Sequence, residues 1–231
     1  MIVNHKYKFL FLKTRKTAGT SIEIALSQFC DGNDIITPIT NEDERTRQEL
    51  GFRGPQNYNM PLRSFSRSDW LSWLKTRRRK RFFNHASAQF VRANIGDEIW
   101  KSYFKFCFER NPFDKAISRY YWSTREPRPE IAAYLESAPA KLLTNWDIYT
   151  IDDRIAVDFI GRYESLSHHL VMLREKLALP REIDLPRAKG GYRNNREHYS
   201  KILNERARAR IENVCAREIT ALGYCWSDSE G

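Results

Sequence analysis

The chain has 231 residues, 41% hydrophobic and 29% charged, an ordinary balance for one large domain with a real core. Its formal charge of +10 points to an anionic ligand or partner. No apolar stretch nears the roughly 20 residues of a membrane span. The run after the first lysine is too short and aromatic for a signal peptide, so a soluble cytoplasmic protein is expected.

Tyr7 to Leu12 is an almost unbroken apolar run, as in a strand covered on both faces. The loop Lys13-Thr14-Arg15-Lys16-Thr17-Ala18-Gly19 follows, and then Ile22, Ala25, Leu26 and Phe29 trace one helical face. A helix start with Thr20 and Ser21, preceded by three cations and a glycine, is a natural phosphate or anion site. The order differs from the ATP-type loop G-x-x-x-x-G-K-[ST], because Lys16 precedes Gly19.

Asp34 to Ile39 reads as a short second strand. Residues 40 to 67 are polar without sustained period, so a long loop is expected as part of an insertion over about 40–81. Ser68-Asp69 could cap a short helix carrying Trp70, Leu71, Trp73 and Leu74. Arg77-Arg78-Arg79-Lys80-Arg81 is either a solvated face or a site for an anionic substrate such as an acidic saccharide. Nucleic acid is not expected there, because the nearby aromatics serve equally well as core.

His85 precedes a helix through Phe90 and Val91. Beside two phenylalanines it reads by itself as structural. Tyr103 to Glu109 alternates Phe104, Phe106 and Phe108 against Lys105, Cys107 and Glu109, a clear strand. It ends in Arg110-Asn111-Pro112, with Pro112 suited to the first helical position and Phe113, Ala116, Ile117 and Tyr120 on one face. Residues 131–143 read as one or two short helices, and 147–160 as two β segments around Asp152-Asp153. A final helix is expected from Asn204 to Leu222, stopped by Gly223. The four cysteines have no metal spacing, and Cys107 and Cys215 read as core.

Three stretches together resemble the sulfotransferases that use 3′-phosphoadenosine 5′-phosphosulfate (PAPS), in particular the carbohydrate-type, family 2-like branch. Arg15 to Ser21 resembles that family's P-K-T-G-G-T-S loop, with Arg for Pro and Ala for the first Gly. Arg110-Asn111-Pro112-Phe113-Asp114, with Ser118 and Tyr120, resembles R-N-P-[YF]-D-R-x-x-S-x-Y, with Lys115 where Arg is usual. Phe159 to Leu166 resembles F-I-G-R-[FY]-E-x-L, which makes Arg162 and Glu164 secondary candidates.

The resemblance implies one sulfotransferase domain over 1–231, an α/β three-layer fold of P-loop type with a central, mainly parallel sheet flanked by helices. It implies sulfuryl transfer from PAPS to a hydroxyl of a saccharide, glycolipid or small metabolite, without a metal. Lys16 would be catalytic, and His85, at an acceptor-side H-x-x-x position, would be the base, helped by a near-neutral pKa. Donor contacts would come from Arg15, Thr17, Ala18, Gly19, Thr20 and Ser21 at the 5′ end, and from Arg110 and Ser118 at the 3′-phosphate. A basic loop at about 187–199 would cover the nucleotide through Lys189, Tyr192 and Arg193. Two rival classes are a nucleotide-dependent phosphotransferase and a non-enzymatic polyanion-binding protein.

Overall fold

The computed structural model describes residues 1–60, 62, 65–186 and 197–227. Among them are the strands β1 (Ile2–Asn4), β2 (Phe9–Phe11), β3 (Ile35–Ile36), β4 (Phe104–Glu109), β5 (Thr150–Ile151), β6 (Arg154–Ile155) and β7 (Phe159–Arg162). The helices are α1 (Gly19–Ser27), α2 (Asn41–Glu49), α3 (Arg67–Thr76), α4 (Ala88–Ile95), α5 (Asp97–Ser102), α6 (Pro112–Ser123), α7 (Ile131–Ser137), α8 (Ala140–Leu143), α9 (Trp146–Tyr149), α10 (Leu166–Lys176), α11 (Tyr199–Ile202), α12 (Glu205–Val214) and α13 (Ala216–Leu222).

Five strands form one sheet in the order β3-β1-β2-β4-β7. The half that carries the crossovers is parallel: Phe9 lies opposite Phe104, and Cys107 opposite Ile160. The other half is antiparallel, so the sheet is mixed instead of mainly parallel. The reason is local. Only residues 5–8 separate β1 from β2, too few for the crossover that a parallel pair needs.

Alternation along the strands sends apolar side chains to both faces. Phe9, Phe11, Phe106 and Phe108 join Ile22, Ala25 and Leu26 of α1 and Leu170 and Leu173 of α10. Leu10, Leu12 and Cys107 pack with Val91 of α4, Trp100 of α5 and Ile148 of α9 on the opposite face. Burial on both sides explains the unbroken apolar run that ends in the anion-binding loop. A third cluster joins α6 to α7, α8 and α12, and contains Cys215.

Several elements differ from the sequence reading. Residues 41–49, expected as loop, form α2, whose first turn holds Glu42, Asp43 and Glu44 and whose cap is Thr40. Its inward residues are Asp43 and Arg47, so an apolar period could not reveal it. Helix α3 starts earlier than expected, with Ser66 as cap and Asp69 completing a capping box. Part of 147–160 is helical as α9, while Asp152 and Asp153, at φ 50 and 59, make the expected tight turn between β5 and β6. The C-terminal helix divides at Cys215 into α12 and α13, and Gly223 at φ 65 ends it.

Candidate active site

The loop between β2 and α1 is shaped by its own backbone and by what lies under it. Lys16 and Ala18 both adopt left-handed conformations, φ 62 and 59. Alternation of such residues makes a concave row of N–H groups suited to an anion. No side chain caps the start of α1, so its first amides stay available to a ligand. Gly19 is required for closeness. A Cβ there would lie 2.9 Å from Lys13 Cγ and 3.1 Å from the Thr14 carbonyl oxygen.

Thr14 Oγ1 lies 2.8 Å from Thr17 Oγ1 and donates to the Phe108 carbonyl, which ties the loop to β4. Asn145 grips the loop from beneath. Its Oδ1 accepts from Arg15 N at 2.9 Å, and its Nδ2 donates to Arg15 O at 3.2 Å and to both Glu109 carboxylate oxygens at 3.0 Å.

Around this loop opens a cavity of about 390 Å³. It is lined by Lys13 to Ser21, His85, Arg110, Ser118, Arg119, Trp122 and Tyr163. Every donor-site residue expected between Arg15 and Ser118, and both expected catalytic residues, therefore border one space. Lys189, Tyr192 and Arg193 lie outside the described residues.

Two buried ionic groups support the walls. Glu23 on α1, fully buried, holds Lys13 Nζ at 2.8 Å and the Met1 amino group at 3.0 Å, with Arg47 at 3.7 Å. Burial raises its pKa, but Lys13, Met1 and Arg47 outweigh that and hold the carboxyl at about 2. Behind Arg110, Lys115 Nζ sits 2.7 Å from Glu109 and 3.3 Å from Glu218. Burial works against its charge, yet the two carboxylates keep Lys115 above its ordinary value, a firm cation in the core.

The cavity wall is cationic. Lys16 Nζ and Arg119 Cζ lie 5.4 and 4.9 Å from the Trp122 ring centroid. Burial and the neighbouring Arg119 push Arg15 below its ordinary pKa. Arg119 Nε is buried without a hydrogen-bond partner among the described residues. Arg110 is held by Asp114, with Nε to Oδ2 at 2.8 Å, and NH1 reaches Lys16 O at 3.3 Å. Its guanidinium lies 4.2 Å from the Tyr163 ring centroid. Cations gathered against their mutual repulsion mark a site for negative charge.

His85 donates Nδ1–H to the Lys13 carbonyl at 2.9 Å, since a carbonyl can only accept. That tautomer leaves Nε2 unprotonated. The expected near-neutral pKa is not found: burial foremost, with Lys13 and Arg15 adding to it, lowers it to about 3. The imidazole is neutral at ordinary pH.

The profile defining the sulfotransferase family matches residues 1–142, more than half of the chain. The chain belongs to the sulfotransferase family. It is also 33% identical over 104 residues to an uncharacterized protein of Archaeoglobus fulgidus, a match covering 42% of this chain and 87% of that relative. No solved structure matches it.

The secondary candidates, Arg162 and Glu164, bond to neighbouring elements. Glu164 accepts from Asn111 N at 2.6 Å, at the start of α6, and from Tyr224 OH at 3.3 Å. Arg162 donates to the Leu222 carbonyl. Sequence reasoning missed Asn145, Arg119, Trp122 and Tyr163. Position on α6 could have found Arg119 and Trp122, one residue and one turn beyond Ser118. Nothing local marks Asn145, whose contacts with Glu109 and Arg15 are 36 and 130 residues away. Among the described residues there is no cluster of three or more metal-type ligands, and no helix long and apolar enough to cross a membrane.

Proposed function

We propose that this sulfotransferase-family protein moves a sulfuryl group from PAPS to a hydroxyl of an acceptor, a saccharide, a glycolipid or a small metabolite. The observation that carries the reading is the convergence of the Arg15–Ser21 loop, His85, Arg110 and Ser118 on one cavity. The residues fit such a donor. The left-handed turns at Lys16 and Ala18 and the close approach at Gly19 leave backbone N–H groups for the 5′ end. Arg15, Thr17, Thr20 and Ser21 add charge and hydroxyls there, while Arg110 and Ser118 are the pair for a 3′-phosphate. Lys189, Tyr192 and Arg193 are proposed to cover the nucleotide.

The donor supplies the activated sulfuryl group, and the chain supplies positioning and charge. A bond forms between the acceptor oxygen and sulfur as the bond from sulfur to the 5′-phosphate oxygen breaks. Lys16 neutralises the charge that develops on the departing phosphate. His85 Nε2 takes the acceptor proton, with Nδ1 fixed by the Lys13 carbonyl. Burial is the main cause of its low pKa and the cations Lys13 and Arg15 add to it; an anion bound beside Arg15 offsets the cationic part alone, which makes the imidazole a stronger base.

Calorimetric titration with 3′-phosphoadenosine 5′-phosphate, 5′-AMP and magnesium-free ATP tests the donor assignment. The bisphosphate should bind at least tenfold more tightly than AMP, and Arg110→Ala should erase that preference. Equal binding of bisphosphate and AMP by the wild type overturns it.

A further inference from the structure

Helix α3 is unusual in burying none of its residues, although it carries two tryptophans and two leucines. Leu71 is 60% exposed and Leu74 55%. Trp70 and Leu74 are one turn apart, as are Leu71 and Leu74, so these side chains share one face. Trp70 packs edge-on against Phe65 at 5.6 Å and Trp73 at 5.5 Å, which leaves the leucines outermost.

The same surface is strongly basic. Arg67 precedes Leu71 by four residues and Leu74 by seven, on their stripe. Arg77 lies over the Trp73 ring at 5.7 Å, and Arg78, Arg79 and Arg81 are exposed. The one acid on α3, Asp69, is neutralised by Lys80 at 3.0 Å. Lys80 in turn lies 5.8 Å from the Phe90 ring, beside the exposed Phe83. The patch is therefore continuous from α3 through the basic run to Phe83.

We propose that α3 and residues 77–83 dock the protein on an anionic lipid bilayer, with α3 lying in the interface plane. Charge and apolarity together select this partner. A sulfated or carboxylated saccharide would pair with the arginines and leave Leu71 and Leu74 in water. A bilayer of anionic phospholipid offers headgroup charge to the cations and acyl chains to the leucines, with tryptophans at the boundary. In this contact α3 lies along the bilayer surface instead of spanning it. The inference is independent of the donor and of the reaction.

Flotation with vesicles of phosphatidylcholine alone, and of phosphatidylcholine with 30% phosphatidylserine, tests it on the full chain. The wild type should bind the anionic vesicles and scarcely the neutral ones. Arg78→Gln with Arg79→Gln should weaken that binding about thirtyfold, at about fivefold per cation. Leu71→Ser with Leu74→Ser should weaken it about a hundredfold, with the melting temperature unchanged. Three results overturn the proposal: no preference for anionic vesicles, vesicle binding indifferent to the leucines, or a large fall in melting temperature in the leucine variant. The second would make the patch a plain polyanion site, and binding of heparin equally by wild type and leucine variant would accompany it. The third would mean the leucine face is packed within the fold.

Discussion

Asn145→Ala tests whether the anion loop is held from below. The side chain is 1% exposed and makes two bonds to the Arg15 backbone and a forked pair to the Glu109 carboxylate. Each neutral bond contributes about 1 kcal/mol net, and the bond to the charged group about 1.5–3. The truncation should therefore cost about 3.5–5 kcal/mol. Near 2–4 °C per kcal/mol for a chain of this size, that is a fall in melting temperature of about 10 °C. The second expected effect is functional. With Arg15 no longer clamped, the loop amides lose their fixed alignment, and affinity for 3′-phosphoadenosine 5′-phosphate should fall about tenfold. Scanning calorimetry gives the first number and titration calorimetry the second. A melting temperature within 2 °C of wild type, with unchanged affinity, would refute the clamp.

Other perturbations address single contacts. Lys16→Met should lower kcat about a hundredfold in a sulfotransfer assay with little change in donor KM, and a loss of only a few-fold would remove Lys16 from the chemistry. Gly19→Ala forces a Cβ against Lys13 Cγ and the Thr14 carbonyl, which should cost about 1–3 kcal/mol in thermal unfolding; an unchanged melting curve would deny the close approach. His85 has a folded pKa of about 3 against 6.5 unfolded. Between those values the unfolded chain binds more protons, so stability is lost as pH falls below 6.5. From pH 7 to 4.5 the loss is about 2.5 kcal/mol, and His85→Gln should not show it in denaturant titrations. Parallel curves for the two proteins would contradict the buried neutral imidazole.

Much of the site could be read from the chain because its parts are local. The apolar run through Leu12, the glycine at 19, the alternating phenylalanines of β4 and Pro112 at the start of α6 each state their geometry within a few residues. The unread parts depend on partners far along the chain. Strand β1 is three residues long and is defined by pairing with β2 and β3. Helix α2 turns charge inward, with Arg47 buried toward Glu23, so the rule that apolar residues mark the core fails there. His85 gave its chemical type in the sequence but not its pKa, which is set by burial and by cations 70 residues away.

Lys13 links these features. Glu23 draws its ammonium inward, its Cγ lies against Gly19 where a Cβ would intrude, and its carbonyl fixes His85 Nδ1. One side chain thus sets the floor of the anion loop, and the same residue's backbone orients the proposed base. A buried ion pair is an expensive way to stabilise a fold, since apolar residues of the same volume often do as well or better. An apolar residue at 13 could still offer the carbonyl to His85, but nothing would tether it to α1. The charge pairs under the loop make physical sense as positioning devices. A loop whose amides must already be aimed when an anion arrives gains from rigid supports, because alignment fixed by folding is not subtracted from the binding energy later.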